Sequence, residues 1–146
     1  MTSEQEKFYK KITDEFTKWE GKGILNNNKW SHYFALAPKF FELLCDIESD
    51  VRLTATQKKN VKSAISYFIS PVDFIPEAVI GPIGYLDDIA LAGHVLKLIA
   101  DEGNEDVLQS NWKDSEDIVT IVNNLDDDAD EMLGSGIWDR IKRSLG

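Results

Sequence analysis

Three of the chain's four prolines, Pro71, Pro76 and Pro82, fall in one short stretch. They constrain the middle of the chain more than any other feature. Proline donates no backbone N–H and pushes the residue before it out of the α conformation. Ser70-Pro71 therefore ends a helix, and the next two prolines leave room for no more than a short helical turn. Gly84 then frees the backbone, and an apolar pattern at helical spacing begins at Tyr85. The spacing predicts a helix, a tight corner, a short turn and a second helix.

Four carboxylates sit among the bulky apolar residues of this stretch: Asp73, Glu77, Asp87 and Asp88. On a helix starting near Tyr85, Asp87 and His94 share a face, with Asp101 seven residues further on. Asp88 points toward the side of Leu91, Val95 and Ile99, the expected core. A buried carboxylate is costly unless it is hydrogen-bonded, and a proline corner leaves N–H groups that must find acceptors. Asp73 and Asp88 are therefore expected to brace the corner, as carboxylates do in Asx-turns and helix caps. The alternative is a metal site drawn from Asp73, Glu77, Asp87 and His94, whose hard oxygen ligands suit Mg²⁺, Ca²⁺ or Mn²⁺. No spacing among them is a recognised ligand motif, so no metal or other cofactor is expected.

The run Ser70, Pro71, Asp73, Ile75, Pro76 and Glu77, followed by Gly84, Leu86, Asp87 and Asp88, resembles the signature of the YkvA-like family, a bacterial domain of unknown function. That signature reads Ser-Pro-x-Asp-x-Ile-Pro-Asp, then a short apolar segment with glycine, then Leu-Asp-Asp. Glu77 stands where the family usually has aspartate. With the helices that lead into it, the resemblance covers roughly residues 40–100. It implies a helical fold, and it implies no chemistry, because the family has no established activity.

The length of 146 residues suits one helical domain. Its parts are a family-like core at about 40–100 and an acidic helical region over 101–146. One cysteine, Cys45, cannot form an internal disulfide. The first residues have no apolar run and are expected not to be a secretory signal. The uncharged runs near the motif are far shorter than the ~20 residues of a spanning helix. These features predict a cytoplasmic protein. Net charge is −10, which disfavours nucleic acid and anionic lipid surfaces. Residues 101–132 hold twelve acidic residues and one basic residue, Lys113, so this segment alone carries −11. Such asymmetry can steer a basic partner, and Asp126, Asp127, Asp128, Asp130 and Glu131 are its densest part.

Along the chain, helix signals recur and no strand alternation is convincing. Ser3 and Glu6 fit a capping box ahead of Phe8, Ile12, Phe16 and Trp19 at helical spacing. Ser31 can cap a second helix, which Pro38 kinks or restarts. Thr54 and Gln57 form another capping box, with Val61, Ala64, Ile65 and Phe68 inward and Lys58, Lys59 and Lys62 outward. Gly93, inside a helix, predicts the close approach of a neighbour. Gly103 ends that helix, and Asn104 can cap the next. Asp114 or Ser115 opens another with Ile118, Ile121, Val122 and Leu125 inward. Asp126, Asp128 and Asp130 alternate like a calcium loop, but Glu131 replaces the required glycine and Ile137 the required glutamate, so no EF-hand is expected. After a Gly134–Gly136 hinge, Ile137, Trp138, Ile141 and Leu145 form a last amphipathic helix that docks on the domain or lies weakly on a membrane.

The expected fold is therefore all-α, a compact bundle of about six to seven helices around the proline-rich corner. No phosphate loop, nucleophile elbow or zinc-protease motif is present, and no catalytic residue is assigned. The expected role is a non-enzymatic module that binds a basic protein through its acidic surface. A membrane-peripheral protein that inserts its apolar corner or last helix, and a divalent-metal site at the corner, are the alternatives.

Overall fold

Thr2, not Ser3, starts the first helix. In a computed structural model that describes residues 1–26, 29–70 and 82–145, helix α1 spans Ser3–Gly21. Its capping box is Thr2 with Gln5: the Gln5 amide accepts from the Thr2 N–H at 3.0 Å, and the Gln5 N–H donates to the Thr2 hydroxyl at 3.1 Å. The shift by one residue has a physical reason. The free NH₂ of Gln5 donates to Glu48 Oε2 at 3.0 Å, a bond that a carboxylate at this position could not donate. Phe8, Ile12 and Phe16 are buried as the spacing predicts.

Helix α2 (Ser31–Phe34) is one turn, and Ser31 makes no side-chain cap. Helix α3 (Leu36–Ile47) follows with Pro38 in its first turn, where the missing N–H costs nothing. Eight of its residues are buried, as expected of a segment apolar nearly all round. Helix α4 (Ala55–Ile69) opens on the expected Thr54–Gln57 box and ends at Ser70, whose backbone is extended, as the residue before a proline should be. Phe8 packs on Phe41 at 4.7 Å between ring centroids, and Phe41 packs edge-on to Phe68 at 5.6 Å. These rings join α1, α3 and α4.

A 3₁₀ turn, Pro82–Tyr85, leads into α5 (Leu86–Ile99). Eleven of the fourteen residues of α5 are buried, which makes it the central helix; α3, α4, α7 (Ile118–Leu133) and α8 (Ser135–Arg143) all pack against it. Gly93 explains how α7 comes so close. A Cβ there would lie 2.4 Å from Leu125 Cδ2 and 3.6 Å from Phe40 Cε2, so the bare backbone provides the space.

Gly103 breaks the helix as expected, within a π turn that follows α5. Residues 100–104 form a π turn with Gly103 at φ 95°, which joins α5 to α6 (Glu105–Asn111). Asn104 stands at the N-cap of α6, but its side chain makes no capping bond. It donates instead to Arg52 O at 3.0 Å and Gln57 Oε1 at 2.8 Å, tying the turn to the start of α4. Asp117 caps α7, its side chain accepting from the Thr120 N–H at 3.1 Å, later in the chain than the expected Asp114 or Ser115. Asp126, Asp128 and Asp130 lie inside this continuous helix. Gly134, at φ 85°, separates α7 from α8. Trp138 and Ile141 of α8 are buried against Ala90, Leu91 and Ala129, so the last helix docks on the bundle.

Among the described residues the chain is all-α, with six helices of nine residues or more, two shorter ones and no strand. None of these helices is long and apolar enough to cross a membrane. The proline-rich corner, with Pro71, Asp73, Pro76 and Glu77, lies outside the described residues.

Candidate functional site

The start of α5 gathers the motif residues that are described. Asp87 and Asp88 occupy its first turn, where unpaired N–H groups and the positive end of the helix dipole favour negative charge. Both are buried, at 0% and 4% exposure. Asp88 faces inward as its spacing predicts. Asp87, expected on a face shared with His94, is instead the more buried of the two carboxylates. The Tyr67 hydroxyl, from the last turns of α4, donates to Asp87 Oδ2 at 2.9 Å, and this bond provides part of the polar environment that burial requires. Ser70 closes α4 beside it, its N–H bonded to Ser66 O at 2.9 Å. Gly84 lies in the 3₁₀ turn before α5. Tyr85 then donates to Glu15 of α1 at 2.8 Å and packs on Phe16 and Trp19. Two tyrosines thus hold the start of α5, one to α4 and the other to α1.

His94 belongs to a different neighbourhood. Two turns along α5 from Asp87, about 10 Å of axial rise, its Nδ1 pairs with Asp126 of α7 at 2.8 Å. Its ring stands edge-on to Trp138 of α8 at 5.5 Å. Asp87 and His94 are therefore turned to separate partners and do not converge. Asp73 and Glu77, the other candidate ligands, are outside the described residues. Among the described residues no group of three or more His, Cys, Asp or Glu side chains could hold a metal ion.

The acidic run on α7 is divided. Asp126 is paired with His94, Asp128 accepts from the Tyr33 hydroxyl of α2, and Glu131 meets Lys29 at 2.5 Å. Burial, with the Asp128 carboxylate beside it, pushes the Tyr33 hydroxyl well above its ordinary pKa. Asp127 and Asp130 are exposed. The bundle thus uses three of the five expected partner-binding carboxylates in its own contacts and leaves two to solvent.

No local pattern points to Tyr67 as the partner of Asp87, and the outward residues of α4 read only as a solvated face. The helix carries Lys58, Lys59 and Lys62 with no carboxylate, and hydroxyls at Ser63 and Ser66; this one-sided composition was the available signal.

Comparison with known proteins touches this same region. The family described as protein of unknown function (DUF1232) matches residues 61–93, which include Tyr67, Asp87 and Asp88. This is the family that YkvA-like names. The chain is 26% identical over 76 residues to an uncharacterized protein, ORF9, of Methanothermobacter thermautotrophicus, a match covering 52% of each chain. It thus spans about half the length of that relative. No solved structure matches.

Proposed function

We propose that this chain is a non-enzymatic helical binding module whose acidic side, from the π turn to α7, docks on the basic surface of another protein. Lys113, the one cation among residues 101–132, carries this reading. Its ammonium turns to Asp46 at 3.3 Å and Glu42 at 3.6 Å, both on α3, so it offsets none of the carboxylates of its own segment. Lys29, Lys39, Arg52 and Lys97 reach in from elsewhere to Glu131, Asp114, Asp106 and Asp101. Glu105, Glu116, Asp117, Asp127 and Asp130 remain exposed and outside these pairs. Charge of one sign on such a surface speeds association with an oppositely charged partner and sets its specificity.

The test is affinity purification with the full chain and with the double variant Asp127→Lys/Asp130→Lys, at low and high salt. A stoichiometric basic protein should be retained by the wild type, released by salt and lost by the variant. Retention that ignores both salt and charge reversal would refute electrostatic docking.

A further inference from the structure

A concave surface with a consistent positive charge lies along α4. Lys58, Lys59 and Lys62 line a groove of about 770 Å³, together with Ser63, Ser66 and Ser70. Positions 58/59, 62/63, 66/67 and 70 recur every turn of the helix, so they form a single stripe. It rises about 18 Å at 1.5 Å per residue. The half-buried Tyr67 adds aromatic surface; Leu91 of α5, itself buried, borders the groove, and Ser144, just past α8, closes one side.

The molecule has 26 acidic residues against 16 Lys and Arg. Lys29, Lys39, Arg52, Lys97, Lys113 and Lys142 each lie within 4.0 Å of a carboxylate. Among the described residues the three groove lysines form no such pair, and neither do Lys7, Lys10, Lys11, Lys18, Lys22, Arg140 and Arg143; what sets the three apart is that they gather in one hollow. Asp50 feels Lys58 only at longer range. Lys62 also borders a second hollow, which contains Glu4 and Glu48. An ordinary solvated face would intersperse both signs; α4 instead collects ammonium and hydroxyl donors on one side of a hollow.

We propose that this groove binds a phosphate ester, its anionic head held by Lys58, Lys59 and Lys62 with the hydroxyls of Ser63 and Ser66, and its organic part against the half-buried Tyr67 ring. Each lysine brings three donors and a compact charge, and each serine an O–H. A phosphate monoester, with three acceptor oxygens and close to two negative charges, uses more of these donors than a carboxylate can. A soluble metabolite and a lipid headgroup share this chemistry. The site is on a different side chain set from the acidic surface proposed above, so either can fail alone.

The experiment is an amide NMR titration of the ¹⁵N-labelled full chain with glycerol 3-phosphate, paired with sedimentation on phosphatidylcholine vesicles with and without phosphatidic acid. Saturable shifts confined to residues 58–70 and to Leu91 and Ser144 would support the site and a soluble ligand. Binding only to vesicles that contain phosphatidic acid would support it with a lipid source. In either case Lys59→Gln/Lys62→Gln should weaken binding about tenfold or more, as expected for two lost charge-assisted contacts. Lys7→Gln/Lys10→Gln on α1 should bind like the wild type, and matched thermal melts would show that both variants fold. The proposal falls if neither probe binds, if the α1 variant loses binding equally, or if a polyglutamate peptide occupies the groove as tightly as the phosphate ester.

Discussion

Gly93→Ala is the sharpest test of how this bundle is packed. In an exposed helix the change should stabilise by about 0.5–1 kcal/mol, because glycine loses more backbone freedom on folding. Here the new methyl would sit 2.4 Å from Leu125 Cδ2 and 3.2 Å from Leu125 Cγ, distances at which something must move. Leu125 and Phe40 are both fully buried, so neither can swing into solvent. Overpacking of a close-packed core costs about 1–3 kcal/mol. Subtracting the helical gain of about 0.5–1 kcal/mol leaves a net loss of up to about 2.5 kcal/mol, which for a domain of this size lowers Tm by about 2–4 °C per kcal/mol. Urea denaturation followed by circular dichroism would measure it. Leu125→Ala alone should cost about 2–5 kcal/mol. In the double variant the methyl added at position 93 enters the space that Leu125 vacates, so the combined loss should be about 1 kcal/mol or more below the sum of the singles. A Gly93→Ala protein as stable as the wild type, with an additive double variant, would refute the close approach of α5 and α7 at this point.

Further outcomes follow from the polar contacts. Tyr67→Phe deletes the donor to Asp87 Oδ2 and should cost about 1–3 kcal/mol in the same assay; an unchanged midpoint would show that this bond contributes nothing. The Arg52 guanidinium beside Asp50 holds that carboxyl below its ordinary value of 3.8, at about 2. A depressed carboxyl stabilises the fold above its unfolded pKa and loses that contribution as pH falls toward the folded value. Asp50→Asn should therefore flatten the stability profile between about pH 4 and pH 2, and a profile identical to the wild type would overturn the assignment. Burial, reinforced by Glu48, pushes the Cys45 thiol up to about 12. A thiol reagent at neutral pH should modify Cys45 only as fast as the protein opens, and rapid stoichiometric labelling of the folded chain would contradict its burial.

What was legible in the sequence was local or periodic. The Thr54–Gln57 box, the break at Ser70-Pro71, the first-turn Pro38 and the docking of Trp138 and Ile141 all follow from residue type at fixed spacing. So does the need for a bare backbone at Gly93, although the identity of Leu125 as its neighbour does not. The misreadings arose where a distant residue decided between local equivalents. Thr2–Gln5 and Ser3–Glu6 both satisfy the box pattern, and Glu48 at the C-terminal cap of α3 selects the version with an amide. Asp87 lies on the same helical face as His94, yet Tyr67 on α4 allows it to be buried. Asp126, Asp128 and Glu131 read as free surface charge because their partners His94, Tyr33 and Lys29 are 32, 95 and 102 residues away. The predicted brace at Asp73 falls in the stretch outside the described residues.

The two capping glutamines carry one further consequence, for how the bundle comes apart. Helix starts ordinarily fray first, since an end can open without disturbing the rest of the molecule. At Gln5 and Gln57 that independence is reduced. Each amide accepts the N–H that begins its helix, and the same side chain donates to a glutamate 43 or 45 residues away. Opening the first turn of α1 thus breaks a bond to the C-terminal end of α3, and opening the first turn of α4 breaks one to the π turn after α5. Two sites that would otherwise be the earliest to melt are linked to the melting of the whole, which favours all-or-none unfolding over gradual peeling from the helix ends.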